Sequence, residues 1–144
     1  MKKLVLLSSL IFLVKEADCQ AKRQIIDAEV GSVQYGIASF YADKFEGRPT
    51  STGEIFSQKK MTAAHNSLPL NTWIRVTNLR NHKSIVVRVN DRLHHRNTRL
   101  VDLSSKAAGI LGYRGRGIVK VKVEVLGKKK PPEEEEKDKG KLDK

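Results

Sequence analysis

Hydrophobic and polar residues alternate over several short stretches of the chain. In "IVKVKVEVL" (118–126), Val119, Val121, Val123 and Val125 alternate with Lys120, Lys122 and Glu124. That period of two predicts a strand with one face in a core and the other in water. "WIRVTNL" (73–79) and "SIVVRVND" (84–91) alternate in the same way, with Asn81 and His82 between them, so the pair reads as a hairpin. "GIASFY" (36–41) is a further short strand. One segment breaks the period: "SSKAAGILG", from near Ser104 to Gly112, reads as a helix closed by a glycine cap. Many short strands with one small helix predict a mainly β fold, a compact barrel or sandwich.

Both ends fall outside this pattern. Lys2 and Lys3 precede a largely apolar run from Leu4 to Val14, the charge-then-apolar order of a secretory signal. The run is too short for a mature transmembrane helix, so residues 1–19 are expected to be a signal peptide and the mature protein to carry no membrane span. Cys19 is the single cysteine, so no intrachain disulfide is available. It is also the place where a lipid anchor would attach, although the charged Glu16 and Asp18 before it suit such a site poorly. At the other end, "GKKKPPEEEEKDKGKLDK" (127–144) has almost no apolar residue and is expected to be a disordered charged tail. Residues 31–126 remain as one folded domain.

The chain of 144 residues has a formal charge of +12. Such a field favours an anionic or polyhydroxylated partner, and export argues against nucleic acid and for a cell-envelope polymer. Against that background, residues 20–126 hold 18 Lys and Arg but only 8 Asp and Glu. Glu54 sits in the small polar run "STGEIFS", and His65 follows two alanines. Small neighbours leave room for a ligand to approach, as in the wall of a groove. Asp91 ends a strand and Asp102 stands between a short apolar run and the helix, positions that can lift a side chain out of packing. Each has a plainer reading. Glu54 could be a solvated turn residue and His65 a satisfied buried histidine. Asp91 could pair with Arg92 in a loop, and Asp102 could cap the helix. His94, His95 and Arg96 lack the spacing of a zinc site. No nucleophile elbow, P-loop or dinucleotide turn is present, so neither metal nor cofactor is expected.

The residues also carry a resemblance. "ASFY", "TSTGEIF", "TAAH", "LPLNTWIRVTN", "VNDR" and "VDLS..AA..LG" occur in this order between Gly36 and Val125. The segment resembles the RlpA family of rare lipoprotein A-like proteins, which have a six-stranded double-psi β-barrel with one or two short helices. The resemblance implies an exported lytic transglycosylase that cuts peptidoglycan glycan strands and leaves 1,6-anhydro-muramyl ends, in the periplasm or cell envelope. It implies Asp102 as general acid, with Glu54, His65 and Asp91 completing the reacting groove and Tyr41, Thr50, Thr52, Asn90 and Arg92 holding substrate. Cell-division proteins are the partners it suggests, and a monomer is expected. The sequence departs from the family after "NDR", where Gly-Pro and an aromatic residue are usual and Leu93, His94 and His95 stand here. That departure keeps open an alternative, a non-catalytic, expansin-like wall-binding barrel.

Overall fold

The computed structural model describes residues 29–133. The expected signal segment, Cys19 and the tail beyond residue 133 lie outside them. Six strands, β1 (Val33–Phe40), β2 (Thr62–His65), β3 (Trp73–Asn78), β4 (Ser84–Arg92), β5 (Val101–Leu103) and β6 (Val119–Gly127), close into a barrel in the order β1-β5-β2-β4-β3-β6. The β1–β5 and β2–β4 pairs are parallel and the other four antiparallel. This is the six-stranded double-psi barrel. A helix, α1 (Ser105–Leu111), follows β5, and a single 3-10 turn spans Asp43–Phe45.

The alternation seen in the sequence decides what enters the core. Val119, Val121, Val123 and Val125 point inward with Ile74, Val76, Ile85, Val87 and Val89, while Lys120, Lys122 and Glu124 face outward. The β3–β4 hairpin forms as expected, with His82 supplying the left-handed residue (φ 60°) of its turn. Two elements begin or end beyond their expected limits: β1 starts at Val33, and β6 runs to Gly127, which pairs with Trp73. The strands β2 and β5 are too short for an alternating pattern to show.

Helix α1 plugs the barrel with Ala107, Ala108, Leu111 and the following Tyr113. Its N-cap is Ser104, whose Oγ accepts from the Ala107 amide, an interaction that stabilises a helix by about 1 kcal/mol. Asp102 lies upstream in β5 and is not the cap. At the other end, the Leu111 carbonyl accepts from both Asn78 Nδ2 and Asn81 Nδ2, which ties the helix to the β3–β4 hairpin. Gly112 closes it at φ 81°, and a Cβ there would lie 2.7 Å from Asn81 Nδ2.

Close approach also fixes a residue in the middle of β1. A Cβ on Gly36 would lie 2.6 Å from Leu100 Cβ. Both residues belong to rigid structure, since Gly36 pairs with Val121 and the Leu100 amide donates to the Ile37 carbonyl. Gly36→Ala is expected to destabilise the barrel by about 1–3 kcal/mol through overpacking. Urea denaturation checks this, and an unchanged midpoint would show that the backbone yields at no cost.

Candidate active site

The register of three strands builds the site. Ala64 on β2 pairs with Asp102 on β5 and, on its other side, with Asp91 on β4. Asp102 in turn pairs with Ser39 on β1. Residues opposite one another in a sheet share a face, so Ser39, Asp102, Ala64 and Asp91 form one row across four strands, turned away from the core. The two acids stand two inter-strand spacings apart, about 10 Å between backbones. Ala64, lying between them, has no side chain long enough to separate them.

This row depends on an irregularity. Ala63 pairs with Val89, but the next residue, Ala64, pairs with Asp91. Asn90 is therefore the extra residue of a β-bulge, a device that re-aims side chains and is common beside active sites. Its carbonyl accepts from the Thr52 amide. Residues 49–55 fold over this bulge as a tight loop, closed by the Pro49–Ile55 bridge and by the Thr50 amide donating to the Glu54 carbonyl. Thr50 Oγ1 adds a bond to that same carbonyl and contacts Thr52 Oγ1.

The loop saturates Asp91. Its Oδ1 accepts from the Ser51 amide (3.0 Å), Ser51 Oγ (2.6 Å) and the Arg92 amide (2.8 Å), and its Oδ2 from the Tyr41 hydroxyl (2.7 Å). Burial pushes the Asp91 carboxyl up, but these donors outweigh it and hold it below its ordinary value. Tyr41 packs on Phe56 and Phe45. Its hydroxyl is pushed up by burial, by the bond to Asp91 and by the charges of Asp91 and Asp102, so it senses both acids of the row.

Glu54 is held by Arg88, whose Nη1 and Nη2 reach its two oxygens at 2.6 and 2.7 Å. That fork lowers its carboxyl to about 2, with Thr52 and Asn90 helping. Asp102 has a fork of its own: Arg99 Nε to Oδ1 at 2.8 Å and Nη2 to Oδ2 at 2.9 Å. The Asp102 side chain is only 12% exposed and that of Arg99 37%, so a group arriving from solvent meets the arginine first.

His65 lies elsewhere. It follows Ala64 on β2 and so turns to the opposite face of the strand. The ring is fully buried and does not line an open groove. Its Nδ1 accepts from the Ser67 and Leu68 amides, which places the ring proton on Nε2, where no group among the described residues receives it. Burial, then the charge of Arg92, lowers its pKa to about 4. Arg92 Nη1 donates to the His65 carbonyl. Leu93 is buried, while His94 and His95 are exposed with ring centres 4.2 Å apart. Among the described residues no group of three or more His, Cys, Asp or Glu is placed to hold a metal ion, and no helix is long and apolar enough to cross a membrane.

Of the residues expected from sequence, Tyr41, Thr50, Thr52, Glu54, Asn90 and Asp91 are brought together, Asp102 stands across Ala64 from them, and His65 is turned away. Arg92 links Asp91 to His65, its amide donating to Asp91 Oδ1 and its Nη1 to the His65 carbonyl. Ser51, Arg88 and Arg99 were missed. Arg99 stands three residues before Asp102 and could have been suspected from that spacing. Arg88 reads as one more outward residue of β4, and only the fold sets it against Glu54.

Comparison with known proteins identifies the family. The family described as lytic transglycolase matches residues 33–123, which include every strand but the last residues of β6. The chain belongs to the lytic transglycolase family. Within it the similarity is to RlpA proteins. A probable endolytic peptidoglycan transglycosylase RlpA of Nostoc sp. is 56% identical over 95 residues, covering 65% of this chain and 26% of the Nostoc protein. The endolytic peptidoglycan transglycosylase RlpA of Pasteurella multocida is 47% identical over 96 residues, 67% of this chain and 33% of that one. The chain thus spans about a quarter to a third of the length of these relatives. Among solved structures, the Streptomyces papain inhibitor superimposes with a TM-score of 0.58 at 21% identity, covering 69% of this chain and 99% of the inhibitor. A Clavibacter michiganensis expansin in complex with cellohexaose gives 0.56 at 19% identity, covering 70% of this chain and 54% of the expansin. Both share the barrel as a fold.

Two pH effects follow from the geometry. The Glu54 carboxyl falls from 4.5 to about 2 on folding; a group lowered in the native state stabilises it above the unfolded value and loses that contribution as pH falls through the folded one. The stability difference between wild type and Arg88→Met should therefore be full above pH 4.5 and shrink as pH falls towards 2, in parallel urea titrations. His65, lowered from 6.5 to about 4, should stay neutral in the fold across that interval, while the unfolded chain takes up the proton. Its ring signals in NMR should hold the Nε2–H form down to about pH 4, and the stability it confers should decline as pH falls below 6.5.

Proposed function

We propose that this lytic transglycolase-family chain is an exported peptidoglycan lytic transglycosylase that cuts glycan strands and leaves 1,6-anhydro-muramyl ends. The observation that carries the reading is the row Asp102–Ala64–Asp91, two carboxylates on one face with an alanine between them. The names of the RlpA relatives support the same reaction. The signal-like N-terminus supports action in the periplasm or cell envelope, with lipid anchoring through Cys19 as a variant of that location.

The three acids divide the work by their partners. Asp91 has both oxygens occupied by donors, so it remains a carboxylate and stabilises positive charge developing on the muramyl ring. Glu54, tied to Arg88 at both oxygens, locks the 49–55 loop over the bulge. Asp102 is left for proton transfer. Among the described residues its forked partner is the half-exposed Arg99; when the bound strand displaces that guanidinium, Asp102 takes up a proton from solvent and delivers it to the glycosidic oxygen. The bond from the anomeric carbon to this oxygen breaks as the proton arrives. The 6-hydroxyl of the same muramyl residue closes on the anomeric carbon and returns its own proton to Asp102. One carboxyl serves as acid and then base, and water is not consumed.

A second reading, a wall-binding barrel without catalysis, is favoured by the same forks, which leave both Glu54 and Asp102 neutralised at rest. Asp102→Asn separates the two. Cleavage of purified sacculi, followed by mass spectrometry of anhydro ends, should fall by about 10²-fold or more. The melting curve should stay close to wild type, because Ser104 and not Asp102 caps the helix. Folded wild-type protein that binds sacculi and releases no anhydro product would leave the binding barrel as the answer.

A further inference from the structure

Beside the acid row the surface opens into a cleft of about 540 Å³, lined by Asp43, Gln58, Lys59, Ser105, Lys106 and Arg114. It is a built feature. Gln58 crosses its floor, with Nε2 donating to the Tyr41 carbonyl (2.8 Å) and to Asp43 Oδ1 (3.4 Å), and Oε1 accepting from the Ser105 amide (2.8 Å). The Lys106 amide donates to the Gln58 carbonyl. One residue therefore fixes the 57–60 segment, the start of α1 and Tyr41 to one another, and Tyr41 carries the connection to Asp91.

Three cations face this cleft against the single carboxylate of Asp43. Lys59, Lys106 and Arg114 are all exposed, and none forms an ion pair with a described residue, whereas Arg88 and Arg99 are each committed to an acid. Three cations against one carboxylate leave a net positive charge, which favours an anion. Two links tie the cleft to the acid row: Gln58 donates to the carbonyl of Tyr41, whose hydroxyl holds Asp91, and Ser105 stands three residues beyond Asp102.

We propose that this cleft is a subsite for the carboxylate borne on the 3-O-substituent of the muramyl residue, so that the enzyme reads which sugar of the strand it has bound. The inference rests on the transglycosylase reading above. Every second sugar of the strand carries this acidic arm, and the others carry none. Seating the arm among Lys59, Lys106 and Arg114 sets the register in which a muramyl anomeric carbon, with its 6-hydroxyl, meets Asp102. The carboxylate is either the lactyl group's own, in a peptide-free strand, or one on the attached peptide.

The test uses short glycan strands in three forms: peptide-free, peptide-bearing, and peptide-free with the carboxylates converted to neutral amides. Binding is measured by fluorescence anisotropy for wild type and for the triple variant Lys59→Gln, Lys106→Gln, Arg114→Gln. All three side chains are exposed, so the variant should fold, with circular dichroism as the check. Wild type should bind a charged form more tightly than the amidated form by about 5- to 30-fold at low ionic strength. The variant should lose that preference yet bind amidated strands as wild type does. Tighter binding of the peptide-free form assigns the lactyl carboxylate, and tighter binding of the peptide-bearing form assigns the peptide. Equal binding of all three forms by wild type, or an equal loss on amidated strands in the variant, overturns the subsite. A wild type that indiscriminately cleaves charged and amidated strands would keep the transglycosylase and discard the subsite. No binding to any form would overturn both.

Discussion

The bulge at Asn90 is the constraint on which the site depends. Without it β4 would continue in step with β2, Asn90 would pair with Ala64, and Asp91 would turn to the face that His65 occupies. The extra residue moves Asp91 onto the outer row beside Ala64 and Asp102. It also frees the Asn90 carbonyl to accept from Thr52, so the same irregularity that aims the carboxylate anchors the loop that holds it. A closed barrel suits such a device. Its strands are paired on both sides, so one unpaired residue leaves no open edge, and the valine core beneath keeps its register on either side of the bulge.

A strongly basic chain could have neutralised its few acids indiscriminately, but it does so selectively. Glu54 and Asp102 each face the fork of one arginine, and Asp91 is held by hydroxyl and amide donors without a forked cation. These differ in consequence. The stem of Arg99 is half-exposed, so this arginine can swing away when a ligand competes for its acid. Hydroxyl and amide donors fixed by the backbone cannot leave without unfolding the loop. Asp91 is therefore the permanent charge of the row and Asp102 the adjustable one, a division set by the type of donor and not by the acids themselves.

Much of this fold was readable in the residues. The four valines of β6, the β3–β4 hairpin and the helix ending at Gly112 follow from period and cap alone. The strands β2 and β5 do not, because four residues containing two alanines, or three residues alone, carry no period and little intrinsic strand preference; they are strands only because a barrel closes around them. Closure itself and the double-psi order came from the resemblance. The candidate acids stood out because acids are scarce in this region, yet their partners did not. Arg88 lies 34 residues from Glu54 and Ser51 lies 40 from Asp91, and no local rule joins such pairs. Ser104 as cap in place of Asp102 was a matter of two residues, the scale at which helix boundaries are hardest to read.

His65 shows where carrying a role over by residue identity meets the geometry of a strand. Ala64 and His65 are neighbours in β2, and neighbours in a strand face opposite ways. If Ala64 stands in the acid row, His65 cannot reach it with its ring. Its influence has to travel through the backbone. The ring fixes the turn at Ser67 and Leu68 by accepting both amides, while the carbonyl of the same residue accepts from Arg92 Nη1 and from the Leu93 amide. These contacts clamp the end of β4 immediately after Asp91, where the Arg92 amide completes the three donors on Oδ1. A neutral ring suits that task, since a protonated Nδ1 would lose both acceptor bonds and place a charge in the interior. The histidine thus supports the permanent carboxylate from behind, and the low pKa that burial imposes on it is what keeps that support in place.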